Sequence, residues 1–168
     1  MSSETITTAL FLITAVVAAG ILINAVYPVI YTMAGTFTSS THDTDVRIRT
    51  DFKIIATFAS HNTATAQVWM KNIGMESISL NDIKRGDVFC GGEGSFDHLS
   101  YSDSAGDKQW QVDFGPDYDL NNNQYWDPGE TVKIIAQTST IPASGGNVYF
   151  QFTLPDGISR SVEFTSMS

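Results

Sequence analysis

The residues of this chain best spaced for chemistry lie in one oxygen-rich loop, Asp117-Tyr-Asp-Leu-Asn-Asn-Asn-Gln-Tyr-Trp-Asp-Pro-Gly-Glu130. Counted from Asp119 as position 1, side-chain oxygens fall at 1 (Asp119), 3 (Asn121), 5 (Asn123), 9 (Asp127) and 12 (Glu130), with the Tyr125 carbonyl available at 7. This is the ligand register of a twelve-residue calcium loop, in which alternate residues of a tight turn bring hard oxygens to one point. Asp119, Asn121, Asn123, Asp127 and Glu130 are the candidate metal ligands, and calcium is the candidate cofactor. Two features depart from the pattern: Gln124 occupies position 6, where the sharp turn calls for Gly, and a strand follows the loop where a helix is usual. The same residues also read as a polar hairpin loop. Asp127-Pro-Gly-Glu130 is then a turn, because Pro presets φ and Gly permits positive φ, and Trp126 docks on the body of the domain.

Other chemistry is sparse. Cys90, His98, Asp97 and Asp103 assemble into a Cys/His site only on paper; a buried strand thiol and a loop histidine account for them more simply. His42, His61 and His98 lack metal-ligand spacing. Gly91-Gly-Glu-Gly94 lies between strands, whereas a phosphate loop joins a strand to a helix. Trp69, Trp110 and Trp126 read as core or loop anchors. With no nucleotide motif and no hydrolase constellation, the chain reads as a non-enzyme.

The elements that must position these residues are strands. Short β-branched and aromatic runs, divided by Gly, Pro, Asn and Asp, begin at Arg47-Ile-Arg-Thr and Asp51-Phe-Lys-Ile-Ile-Ala. They continue through Ala64–Lys71, Ile78–Leu80, Asp87–Cys90, His98–Tyr101, Gln109–Phe114, Thr131–Thr138, Asn147–Thr153 and Ser159–Phe164. Runs at this spacing predict an all-β antiparallel sandwich over 46–168. Leu154-Pro-Asp-Gly-Ile158 is a hairpin turn between the last two strands. Nothing after residue 46 reads as a long helix.

The N-terminal segment is of another kind. From Ile6 to Tyr31 no side chain is charged. As a helix this run is about 39 Å long at about 1.5 Å per residue, enough to cross a bilayer's hydrocarbon core. A secretory signal would have a basic start and a shorter apolar core, but Met1-Ser-Ser-Glu4 carries a carboxylate and no Lys or Arg. Apolar residues on every face argue against a surface amphipathic helix. Residues 1–34 are thus a single transmembrane anchor helix, and 35–45 a linker or helix extension. Ala15, Ala18, Ala19 and Gly20 would let another helix approach closely. Asn24 reads either as part of such a contact or as a wet residue near the interface, and Tyr27 and Tyr31 mark the outer boundary.

The formal charge is −9, from 18 acidic and 9 basic residues. No basic footprint exists to hold nucleic acid or anionic lipid. One cysteine excludes an intrachain disulfide framework. Charge alone does not orient the anchor: Arg47, Arg49 and Lys53 follow Asp43 and Asp45, and the positive-inside rule read by itself would keep the domain inside.

The block Ser3-Glu-Thr-Ile-Thr-Thr-Ala-Leu-Phe-Leu-Ile-Thr-Ala-Val-Val-Ala-Ala, with Asn24-Ala-Val-Tyr-Pro-Val-Ile-Tyr31 and Thr41-His-Asp-Thr-Asp-Val-Arg-Ile-Arg-Thr-Asp-Phe-Lys-Ile54, resembles the archaeal flagellar protein G family. Its members are accessory components of the archaellum, related to archaeal flagellar protein F. Lys71-Asn-Ile-Gly74 and the Asp127–Glu130 turn are similar to that family's immunoglobulin-like domain. The resemblance implies a stator or tether between the cytoplasmic membrane and the S-layer, needed for motility. It implies a β-sandwich in the extracytoplasmic space beneath the S-layer. Its implied partners are protein F, S-layer protein, other archaellum components and further copies of itself.

A second reading is a filament subunit resembling an archaellin or type IV pilin. Such subunits also join an apolar N-terminal helix to a β domain, and Glu4 would then neutralise a neighbour's amine during assembly. The absence of a basic prepeptide or Lys/Arg-Gly cleavage site before the apolar run weighs against it.

Overall fold

The computed structural model describes residues 2–104 and 106–168. Helix α1 spans Ser2–Arg49. Between Ser3 and Thr36 it is long and apolar enough to cross a membrane, and none of that segment is buried within the chain. Several of its polar side chains bond back along the helix itself. Thr7, Thr8 and Thr14 donate to Ser3 O, Glu4 O and Leu10 O at 2.8 Å each, and Asn24 Nδ2 donates to Gly20 O at 3.1 Å. This one-turn-back bonding removes the need for an outside partner for the Asn24 donor. Pro28 lies inside the helix, where its ring removes one rung of the ladder; Thr32 Oγ1 bonds back to Pro28 O at 2.8 Å.

The chain divides into two compact units, Met1–Asp45 and Val46–Ser168. Helix geometry continues through 35–45 and into the second unit. The expected strand start at Arg47-Ile-Arg-Thr is corrected by this: Arg47–Arg49 form the last helical turn. Local bonds explain why. Thr50 closes that turn through both its amide and its hydroxyl, each 2.9 Å from Val46 O. The orphan carbonyl of Arg49 accepts from Met75 N at 2.8 Å. Gly74 makes the approach possible, since a Cβ there would overlap Arg49 O and Asp51 N.

The second unit then runs β1 (Phe52–Ser60), β2 (Thr65–Asn72), β3 (Ile78–Ser79), the short helix α2 (Leu80–Lys84), β4 (Asp87–Gly92), β5 (Ser95–Tyr101), β6 (Gln109–Asp113), β7 (Tyr125–Trp126), β8 (Thr131–Gln137), β9 (Asn147–Thr153) and β10 (Ser159–Thr165). Eight strands order as β1-β2-β8-β6-β5-β4-β9-β10, and β3 pairs with β7 separately. All pairings are antiparallel except β5 with β6. The end strands β1 and β10 come together, helped by Met167, which donates to Ala59 O (2.8 Å) and accepts from His61 N (3.0 Å). The result is an antiparallel β-sandwich approaching a closed barrel. Strict alternation in β8 and β9 sends Val132, Ile134, Ala136, Val148, Phe150 and Phe152 inward. Phe52 sits between Trp126, tilted to it at 48°, and Phe152, edge-on at 66°, with centroids at 5.8 and 5.7 Å, avoiding the face-to-face sandwich that aromatic pairs disfavour. The turn after β9 forms as its sequence directs, with Gly157 at φ 85° and its amide 2.9 Å from Leu154 O.

Candidate interaction site

The loop 117–130 closes through its own side chains. Asp119, 4% exposed, accepts from Asn123 N (3.1 Å) and Gln124 N (2.9 Å). Glu130 accepts from Leu120 N and Asp127 N, both at 3.0 Å. Asn121 and Asn123 turn their amides to Asp127 Oδ2, at 2.7 and 2.9 Å, while their oxygens accept from Asn123 N and Tyr125 N. Ser77 donates to the other Asp127 oxygen. These donors hold the Asp127 carboxyl below the usual carboxylate range, the Ser77 bond contributing most. Gln124 adopts φ 63° and Asn122 φ 55°. The position that a calcium loop gives to Gly is therefore left-handed here too, and the Asp119 bond to its amide holds Gln124 there.

The structure thus brings all five candidate ligands into one loop, with their oxygens engaged by N–H and O–H groups. Among the described residues, no group of three or more His, Cys, Asp or Glu side chains is placed to hold a metal ion. The loop is pinned to the body by Trp126, fully buried, whose indole N–H donates to Glu130 O at 2.9 Å. Asn72, also fully buried, donates to Trp126 O (2.8 Å) and Glu76 O (2.9 Å). Gly129 adopts φ 92° in the Asp127–Glu130 turn. Sequence reasoning named Trp126 and this turn; it missed Asn72 as their common anchor, because the partners lie 54 residues apart.

The Cys/His grouping does not form. Cys90 is buried on β4, where burial pushes its thiol up to about 12. His98 pairs across the strands with Phe89, so it faces outward and meets Asp87 at 3.1 Å. Asp97 takes bonds from Lys108 Nζ and Thr138 Oγ1, both at 2.9 Å. Asp103 meets Tyr101 at 2.6 Å and Lys84 at 3.4 Å. His61 Nδ1 lies 2.9 Å from Ile141 O. The side chain of His42 lies outside the described residues.

What the second unit offers is surface. Edge strand β1 carries Ile55 and Phe58 outward, 51% and 37% exposed, next to a bulge between Ile54 and Ala56. On the outer face of β4, β5 and β9, exposed Phe96 and His98 meet half-buried Tyr149 and Phe89: Phe96 and Tyr149 (centroids 5.1 Å), Phe96 and Phe89 (6.3 Å), Phe89 and His98 (4.8 Å). Such features suit recognition of another molecule.

Known proteins share this architecture. An uncharacterized protein of Archaeoglobus fulgidus is 25% identical over 139 residues, 82% of each chain. The archaellum periplasmic stator protein FlaG of Sulfolobus acidocaldarius, solved alone, is 23% identical with a TM-score of 0.54, covering 68% of this chain and 99% of that one. A chain of the archaellum periplasmic stator complex of FlaF and FlaG, also from S. acidocaldarius, gives 22% and 0.54, covering 67% of this chain and 87% of that one. The archaeal flagellum of Methanospirillum hungatei gives 18% and 0.56, covering 92% of this chain and 91% of that one. These likenesses establish a FlaG-like fold, helix plus β domain. The archaeal-type flagellin family matches over residues 2–164, nearly the whole sequence, and the chain belongs to that family.

Proposed function

We propose that this protein is a non-enzymatic, membrane-anchored component of the archaellum, acting as a stator element or tether in the envelope. The observation that carries this is the pairing of an apolar helix, none of whose membrane-length segment is buried, with a β unit folded like the stator protein FlaG. A rotary motor delivers torque only if something static resists it. A helix in the cytoplasmic membrane resists from one end, and a β-sandwich gripping a partner outside the membrane resists from the other. Here the last helical turn is itself hydrogen-bonded into the β unit through Arg49 O and Met75 N, so load is delivered to a folded framework. By analogy with the solved FlaF and FlaG complex, a FlaF-like protein is the first partner to seek. S-layer protein and further copies of this chain follow from the same role. The domain lies on the extracytoplasmic side, beneath the S-layer.

A second reading is favoured by one observation: the filament of M. hungatei matches over 92% of this chain, helix included. On that reading the chain is a filament subunit, and Glu4 neutralises a neighbour's amine. One experiment separates the two. Sheared filaments and washed membranes from the same cells are quantified by mass spectrometry for copy number and mature N-terminus. Low copy in membranes supports the tether; abundance in filaments with a trimmed N-terminus makes the chain a structural subunit. Deletion of the gene is expected to abolish swimming, and a deletion strain that swims normally removes the motor role.

A further inference from the structure

Strand register lines up the outward residues of β5, β4, β9 and β10. Phe96 stands opposite Gly91, Gly91 opposite Tyr149, and Tyr149 opposite Glu163. In the next row His98 stands opposite Phe89, Phe89 opposite Gln151, and Gln151 opposite Ser161. Gly91 allows the first row to close up: a Cβ there would lie 2.7 Å from both Phe96 Cα and Ser95 O. Across that gap the Phe96 and Tyr149 rings reach 5.1 Å. Phe96 is 52% exposed and the His98 side chain 54%, although the fold has a full aromatic core in which to bury rings.

The chemistry around the rings is uniform. On these four strands the outward positions carry no Lys or Arg, and the acidic groups among them are Asp87 and Glu163. The remainder are amides and hydroxyls. Tyr149 Oη donates to Gln151 Oε1, and Gln151 Nε2 donates to Thr153 Oγ1 at 3.3 Å.

We propose that this face docks a neutral glycan chain. The C–H faces of pyranose rings stack on aromatic rings, and Phe96 and Tyr149, with centroids 5.1 Å apart and planes 39° apart, offer two rings about one hexose apart, while Phe89 stands edge-on to Phe96 at 87° and walls the site. Sugar hydroxyls both donate and accept, so they satisfy the Gln151 amide, the Thr153 and Ser161 hydroxyls and the two carboxylates together. A polyanion or an anionic lipid headgroup would need cations that these positions lack. An apolar protein surface would strip water from Asp87, Gln151 and Glu163 without replacing its hydrogen bonds, which is costly. This assignment stands apart from the choice between tether and filament subunit.

The test is affinity electrophoresis of the full chain in amine-oxide micelles, whose headgroup is not a sugar. Gels contain mannan, galactomannan or mixed-linkage β-glucan, with dextran sulfate as the anionic comparison. At least one neutral polysaccharide is expected to retard the wild type. Phe96→Ala and Tyr149→Ala should each weaken apparent affinity by about tenfold, and Phe96→Tyr, which keeps the ring, should retain it with an unchanged melting temperature. No retardation by any neutral polysaccharide, retardation equal in the alanine variants, or retardation by dextran sulfate alone would each overturn the proposal.

Discussion

The two units of this chain reach stability by opposite routes. The Ser3–Thr36 segment buries nothing within the chain: Leu10, Phe11, Ile13, Val16 and Ile21 are all more than 60% exposed. Its threonine hydroxyls and one Asn24 N–H bond back one turn along the helix, which suits these groups to an apolar surrounding. The β unit does the reverse. It places its rings and branched side chains inside, spans long sequence separations with its bonds, and keeps its acids outside or paired. The first unit needs an environment and the second needs none. The comparison teaches that one substitution should be felt in one unit and silent in the other.

Trp126→Ala should have the largest effect. It empties a fully buried site and removes the indole bond to Glu130 O, which should lower domain stability by about 3–5 kcal/mol. Membrane retention should be unchanged. Urea denaturation followed by circular dichroism, together with carbonate extraction of membranes, checks both halves. Loss of membrane retention in this variant would mean that the units are energetically linked.

Next is Ile13→Lys, a charge placed inside the apolar segment. Its insertion penalty of roughly 2.5–3.5 kcal/mol should release most of the chain from the membrane fraction and leave the melting temperature of the β unit unaltered. Full retention would show that another helix or a water-filled path shelters position 13.

Asp119→Ala leaves the Gln124 amide without its acceptor and the Asn123 amide with Asn121 Oδ1 alone, and should cost about 1–3 kcal/mol, read as a lower melting temperature. Adding millimolar calcium in the same assay sharpens the reading of this loop. A rise in the wild type that is absent from the variant would bring a cation into the Asp119–Glu130 register. An unchanged transition leaves the loop as a hydrogen-bonded latch.

The smallest effect expected is on pH dependence. Ser77, Asn121 and Asn123 hold the folded-state pKa of Asp127 below its unfolded value. Its contribution is therefore fully present above the ordinary Asp range and is lost as pH falls below about 4. Asp127→Asn should flatten the melting-temperature profile between about pH 5 and 3. A profile as steep as the wild type would assign the acid sensitivity to other carboxylates, Asp97 with its Lys108 partner first.

The strands at Asn147–Thr153 and Thr131–Gln137 were legible because their alternation has period two and each is bounded by turn residues. Where local signals competed, reading failed. Arg47-Ile-Arg-Thr has strand-like composition, yet it completes a helix because Met75 and Gly74 arrive to cap it. Ile78-Ser-Leu80 was read as one strand. The strand forms over Ile78–Ser79 but stops there, because Ser79 caps α2, accepting from Asp82 N at 3.1 Å and donating to Asp82 Oδ2 at 2.6 Å. The candidate loop was legible as a set of oxygens in register, but where those oxygens point was not.

By itself the sequence determined the division into an uncharged apolar helix and an acidic β domain, most strand positions, the hairpin turns and the residues of the candidate loop. These depend on composition, periodicity and conformational preference within a few neighbours. Only the tertiary structure decided that Gln124 takes the left-handed turn, that Asn72 anchors a loop far along the chain, that Cys90 and His98 face opposite sides, and that half-buried Phe89 and Tyr149 meet exposed Phe96 on one outer face. Each of those depends on which strands pair and in what register, and pairing is set by burial across the whole domain.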